Sequence, residues 1–390
     1  MTDFHTHDIV VVGAGPAGLA FARSLAGCNL RIAVIERQPL ERIADPAPDG
    51  REIALTQRSI NTLRDLGAWD LIDPAETSPL RAAWVLNGSS PFALSFDRDG
   101  PGTLGQLVPN HLIRKSLYAA AAGQPDLDLI TGVAVADVHT DRHGVKVTLA
   151  DGRELTARLL VVADSRLSEI RPKLGIAAEI NPLGKSMLVC RVAHPEDHQG
   201  IATEWFGNGQ TIAMLPLNGR RSGAVLTLDA AEIEAIAALD RDALGAELTR
   251  RYAGRLGPMT VLEGPFVYPL TTTWAHHFAA RRAALIGDTA VGMHPVTAHG
   301  FNFGLSGAMK LGGLIRRAAA QDRDIAAPML LRRYEAAHRV ATRPLYEATR
   351  MIVGLYTDER GPARLARPVM LRAAARLPLL RQAVTGMLMR

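Results

Sequence analysis

One stretch constrains this chain more than any other: Asp8-Ile9-Val10-Val11-Val12-Gly13-Ala14-Gly15-Pro16-Ala17-Gly18. An apolar run breaks into Gly-x-Gly-x-x-Gly and passes into the helix-favouring segment Leu19 to Ala26. A strand, a glycine turn and a helix in that order make a dinucleotide-binding unit. The glycines permit the tight turn and let backbone approach a pyrophosphate. The first N–H groups of the helix, with its positive dipole end, then face the phosphates. A second apolar run, Arg31 to Ile35, ends in Glu36, eighteen residues after Gly18, where a ribose hydroxyl needs an acceptor. A glycine-rich turn in some other α/β domain accounts for the glycines, but not for strand, helix and acid together. An adenine-dinucleotide site in an α/β fold is expected.

With 390 residues and 47% hydrophobic content the chain can bury a large core. Two domains, or one with a large insertion, follow from that size. Cys28 and Cys190 form no metal or redox spacing, which suits a reduced, cytoplasmic protein. The polar run Met1 to His7 leads straight into the first strand, leaving no room for a signal peptide. No uncharged apolar stretch is long enough to span a bilayer. The net charge of +5 is local: residues 360–390 hold seven arginines and no acid, and the other 37 basic residues face 39 acids. Nucleic acid is therefore not an expected partner of the body. The tail interleaves its arginines with Leu365, Val369, Met370, Leu377 and Leu380. It suits equally a segment on an anionic membrane surface and a helix packed on the body with solvated arginines.

Along the chain, Arg51 to Leu63 reads as a short strand followed by a helix ending near Gly67, and Asn110 to Ala122 has helical spacing. Pro79 to Gly105 reads as strands and turns. The alternation at Val145 to Leu149 with Asp151-Gly152 predicts a hairpin. Lys185 to Leu228 reads as several strands, and Ala230 to Tyr252 as one helix. Two further apolar runs end in an aspartate: Leu159 to Asp164, followed by Ser165-Arg166-Leu167-Ser168-Glu169-Ile170-Arg171, and Ala283 to Asp288, followed by His294 to Gly304. Buried parallel strands look like this, and ligands gather at their carboxyl ends. An Asp there binds a hydroxyl or caps the next helix.

With these three strand-ending sites, the chain resembles the single-component, FAD-dependent aromatic hydroxylases of the para-hydroxybenzoate hydroxylase fold. Within them it is most similar to the UbiH/UbiF/VisC ubiquinone-biosynthesis hydroxylases, and in Gly292 to Asn302 to the UbiM branch. The resemblance implies an α/β, Rossmann-like FAD domain (1–78, 106–180 and 274–325), an inserted β-sheet substrate domain (79–105 and 181–273) and a C-terminal helical region with the basic tail (326–390). It assigns FAD contacts to Gly13, Gly15, Ala17, Gly18, Glu36 and Arg37, to Arg51 over the pyrophosphate, and to Gln106 and Val135. Asp164 would touch the pyrophosphate region and the reductant, and Asp288 the ribityl chain. Pro295, Gly300, Phe301 and Asn302 would lie beside the isoalloxazine ring. Two departures stand out: Asp164-Ser165 where the family has Asp-Gly, and His299 where it has Gln.

The chemistry implied is hydroxylation of a phenol ring through a flavin C4a-hydroperoxide, with O₂ as substrate and a reduced nicotinamide, NAD(P)H, or another donor as reductant. A lipid-like aromatic substrate, other ubiquinone-biosynthesis proteins as partners and a cytoplasmic place peripheral to the inner membrane belong to the same implication. The lack of a second Gly-x-Gly-x-x-Gly suits transient binding of the nicotinamide. Leu188, Val189, Trp205, Phe206, Met214 and Leu215 are apolar enough for a ring with an isoprenoid tail, and ordinary sheet packing would use the same residues. His299 is the candidate catalytic residue, as an imidazole able to hydrogen-bond or deprotonate a phenol. It serves equally as a filler of the same structural slot. His276-His277 and His5-x-His7 lack acidic or Cys partners at ligand spacing, so no metal is expected. A soluble aromatic hydroxylase of secondary metabolism, a flavin reductase of the same fold and a non-enzymatic flavoprotein in an assembly are the alternatives.

Overall fold

The computed structural model describes residues 6–88, 93–97, 102–207, 209–295 and 299–357. The chain opens with β1 (His7–Val12), α1 (Pro16–Ser24), β2 (Ile32–Glu36), α2 (Leu40–Ala44), β3 (Glu52–Thr56) and α3 (Gln57–Asp65). There follow β4 (Ser78–Leu80), β5 (Ala82–Asn87), β6 (Ala93–Asp97), β7 (Gly105–Pro109), α4 (Asn110–Ala122), β8 (Leu127–Thr131), β9 (Val135–Thr140), β10 (Val145–Leu149) and β11 (Glu154–Val162). The middle of the chain forms α5 (Ile170–Lys173), β12 (Ala178–Ala193), β13 (Ile201–Gly207), β14 (Gln210–Leu217), β15 (Arg221–Asp229), α6 (Ala230–Ala237), α7 (Arg241–Arg251) and β16 (Thr260–Ala275). The last elements are β17 (Ala279–Ala280), β18 (Ala283–Leu285), β19 (Val291–Gly292), α8 (Gly300–Ala319) and α9 (Pro328–Thr357).

The three apolar runs seen in the sequence become neighbours. Strands β18, β11, β1, β2 and β8 lie parallel in that order, so Val12, Val162, Leu285 and Glu36 end at one edge of one sheet. Ile9, Val10, Val11, Val161 and Leu285 are fully buried, as parallel strands covered on both faces must be. The hairpin at Asp151-Gly152 forms as expected and joins β10 to the first half of β11.

A second sheet runs β19-β16-β12-β15-β14-β13-β5-β6. It collects β5 and β6 from one insertion and β12 to β16 from the other, through parallel pairing of β13 with β5. Its strands cross the expected boundaries: β12 begins at Ala178, β16 runs to Ala275, and β19 adds Val291 and Gly292. The single helix expected over 230–252 is two. It breaks between Ala237 and Arg241, where the Asp240 carboxylate accepts the Ala243 N–H at 2.8 Å and starts α7 afresh. Helices α6 and α7 cover one face of the second sheet, with Leu188, Met214, Leu226, Ile233 and Leu248 packed between them. The other face is left to line a cavity. A small sheet, β3-β7-β4, bridges the two larger ones.

Candidate active site

The glycine turn is built by close contact. A Cβ on Gly18 would lie 2.0 Å from the Gly13 carbonyl oxygen, and one on Gly13 would lie 2.5 Å from that of Ala163, with Gly13 at φ +105°. These two glycines let α1 sit against the ends of β1 and β11. Gly15 differs, since a Cβ there meets nothing within 4 Å. Its emptiness faces the cavity, so its service is to whatever lies there. Gly15 also starts α1 with no side-chain cap, which leaves the helix's first N–H groups for a ligand.

Glu36 closes β2 and turns back to the glycine loop. Its two carboxylate oxygens accept the Ala14 and Gln38 N–H groups, each at 2.9 Å. Asp164 fastens two turns together: Oδ1 accepts from the Ser165 N–H and the Thr289 hydroxyl at 2.8 Å each, and Oδ2 from the Ser168 hydroxyl at 2.7 Å. Asp288 sits across from it, paired with Arg166 at 2.6 Å, and Arg166 also donates to the Thr271 carbonyl at 2.9 Å. Arg51 pairs with Asp49 at 2.7 Å and lies 5.3 Å from the centre of the Tyr268 ring. The sequence gives Arg166 no role. The one signal for it in the sequence is an arginine two residues after a strand-ending Asp.

Gly15, Glu36, Arg51, Asp164, Arg166 and Asp288 border one cavity of about 1320 Å³, whereas the expected contacts Gly13 and Gly18 do not line it and serve the packing of α1 on the strand ends. Gly15, Ala17, Glu36, Arg37, Arg51, Asp164 and Asp288 gather at its polar end, by the carboxyl ends of the parallel strands, and Pro295, His299, Gly300 and Phe301 line it where α8 begins. Helix α8 starts there, again without a side-chain cap. Two helix N-termini therefore point their dipoles into one space. His299 precedes α8 and is 4% exposed, its ring 5.8 Å from that of Phe303. Beside it, burial next to Arg166 pushes His294 down to about 4, so its ring is neutral at pH 7.

Several expected contacts do not line the cavity. Gln106 is on β7, where its neighbours Gly105 and Leu107 face inward and strand alternation turns Gln106 away, with its Oε1 buried and without a partner among the described residues. Val135 lies on β9 at the far hairpin. Asn302 acts as a clip: its side chain accepts from the Thr56 N–H at 3.2 Å and donates to the Ala54 carbonyl at 2.9 Å, tying α8 to β3. Alternation also divides the apolar candidates. Val189, Phe206 and Leu215 line the cavity, whereas Leu188 and Met214 lie in the core under α6 and α7, and Trp205 meets Tyr252 edge to face. His7 pairs with Asp128 at 2.9 Å and His277 with Glu335 at 3.3 Å.

Residues 6–348 match the model of the FAD binding domain family. The chain belongs to it. It is 43% identical, over 98% of its length and 84% of the relative's, to the ubiquinone hydroxylase UbiM of Neisseria meningitidis. It is 32% identical to the ubiquinone hydroxylase UbiL of Rhodospirillum rubrum, over 95% of this chain and 86% of that one. Among solved structures, p-nitrophenol 4-monooxygenase PnpA of Pseudomonas putida superposes with a TM-score of 0.75 at 18% identity, covering 98% of each chain, a likeness of fold.

The cleft of this FAD-binding chain fits the cofactor. The unfilled space at Gly15, the two uncapped helix starts and the arginines at the polar end suit a diphosphate, and Glu36 lies where a ribose would. The volume exceeds the roughly 300–1,000 Å³ of a usual small-molecule site, leaving room for a second molecule beside the dinucleotide.

Proposed function

We propose that this chain is an FAD-dependent monooxygenase that hydroxylates the aromatic ring of a prenylated precursor in ubiquinone biosynthesis. The observation that carries the reading is one continuous cavity, in which the dinucleotide cleft, His299 and a wall of apolar strand residues all take part. The relatives named as ubiquinone hydroxylases support the substrate class. Bound FAD, once reduced, supplies the activation of O₂. Gly15 and the α1 N-terminus would hold the diphosphate, Glu36 the ribose, and Asp288 the ribityl hydroxyls. The N–H groups opening α8 would favour negative charge on the reduced ring.

His299 holds the phenol hydroxyl and takes its proton at an imidazole nitrogen, which makes the ring electron-rich. The walls from β12 to β15 exclude water, so the activated oxygen is spent on the ring. The reductant is a nicotinamide that visits, consistent with one Gly-x-Gly-x-x-Gly. The basic, apolar stretch 360–390, which lies outside the described residues, brings the enzyme to the inner-membrane surface and to other ubiquinone-biosynthesis proteins. Among the described residues no helix is long and apolar enough to cross a membrane.

The test is the quinone-lipid profile of a ubiquinone-making bacterium that lacks its own ring hydroxylases and expresses this chain. Restored ubiquinone, or a block moved to a later intermediate, is expected. An unchanged profile from an FAD-loaded protein would overturn the ubiquinone assignment.

A further inference from the structure

The cavity-facing row across the second sheet can be read from its register. Leu94 of β6 lies opposite Val85 of β5, Val85 opposite Glu204 of β13, Glu204 opposite Ala213 of β14, Ala213 opposite Val225 of β15, and Val225 opposite Val189 of β12. All six line the cavity. Five are aliphatic, and the sixth is a carboxylic acid in their midst. The strands packed on either side of Glu204 offer it Ala83, Val85, Thr211, Ala213 and Leu215, none of them charged. Among the described residues no group pairs with its carboxyl, which opens onto the cavity. Glu204 is half-buried, and an acid set without a partner in an aliphatic wall is placed to meet a polar group of whatever the cavity receives. Among the described residues, the arginines that line the cavity are Arg37, Arg51, Arg114 and Arg166. None of them stands on the strands of this wall.

We infer that Glu204 is the specificity-determining polar contact of the ring pocket: its carboxyl group donates a hydrogen bond to an oxygen substituent of a neutral ring and turns away rings that carry a carboxylate. Burial pushes the Glu204 carboxyl up to about 8, so at pH 7 it is chiefly the neutral donor. Thr211 of the next row adds a hydroxyl within the same wall. A ring bearing hydroxyl or methoxyl groups finds partners here, whereas a carboxylate would lose its hydration with no cation beside it among the described residues. The substrate is thus a ring that carries no carboxylate. This rests on the aromatic-ring reading of the pocket.

The experiment titrates the FAD-loaded protein with 2-methoxyphenol and with 4-hydroxy-3-methoxybenzoate, its carboxylated counterpart, following the flavin absorbance between pH 6 and 9. The wild type is expected to bind the neutral probe at least about tenfold more tightly at pH 7, and to lose that affinity as the pH rises through about 8. Glu204→Gln, whose amide still donates, should keep the affinity and lose its pH dependence. Glu204→Leu should bind about tenfold more weakly while holding as much FAD, and should melt no lower, since it removes from an aliphatic wall an acid without a partner among the described residues. Equal binding of the neutral probe by wild type and Glu204→Leu, or equal binding of both probes by the wild type, overturns the role of Glu204 alone. Binding of neither probe overturns the aromatic-pocket reading and the Glu204 assignment with it.

Discussion

Arg166 and Asp288, 122 residues apart in sequence, meet at the end of the parallel sheet with the guanidinium 2.6 Å from the carboxylate. The pair joins the turn after β11 to the turn after β18, and it places a cation beside an acid at the polar end of the cavity. Without the arginine, Asp288 would present bare negative charge to a diphosphate-bearing cofactor. The Arg166→Gln variant is therefore expected to bind FAD about tenfold more weakly. Its unfolding free energy should fall by less than about 1 kcal/mol, because both side chains are about a third exposed. FAD titration beside urea denaturation separates the two effects, and a large stability loss with unchanged FAD affinity would count against this account.

The glycine turn predicts a contrast between two similar substitutions. Gly18→Ala forces a Cβ to 2.0 Å from a backbone oxygen, so the strand–helix junction must move and soluble yield should drop. Gly15→Ala meets no protein atom within 4 Å. That protein should fold with an unchanged melting point and lose FAD, its methyl group standing where the diphosphate approaches. The ratio of flavin absorbance to protein, measured with the melting curve, reads both.

Strand alternation on β14 separates substrate effects from stability. Met214 is 2% exposed under α7, and Met214→Ala should cost about 2–5 kcal/mol with ring selectivity untouched. Leu215 faces the cavity, so Leu215→Ala should be milder in denaturation and should admit bulkier rings. Chemical denaturation and relative turnover of a substrate series would check the pair.

Acid should destabilise the protein through His338, which burial holds down at about 3, against 6.5 for the free side chain. Between those values the unfolded chain binds the extra proton, so stability is complete above pH 6.5 and falls as pH drops toward 3. Each such group adds about 1.4 kcal/mol per pH unit to the slope. His338→Gln should flatten the fall in urea midpoint between pH 6 and 4, and a parallel curve would show that the slope arises elsewhere.

Sequence alone determined the cofactor domain, because its evidence is local. A glycine turn between an apolar strand and a helix, and an acid at the end of the next strand, each follow from short-range sterics and dipoles. The same holds for the hairpin at Asp151-Gly152 and the helix at Asn110. It did not divide Ala230 to Tyr252 into two helices, although Asp240 carried the capping signal. Which face of each substrate strand looks into the cavity was decided by tertiary structure. Helices α6 and α7 claim one face for the core, and an apolar residue reads alike on either side of a strand. Strand facing likewise turned Gln106 from the cavity and set Glu204 in an aliphatic row, while the packing of α8 on β3 drew Asn302 away and the meeting of two strand-end turns gave Arg166 its Asp288. Those relationships join residues far apart in the chain, and only the register between strands and the packing of helix on sheet bring them together.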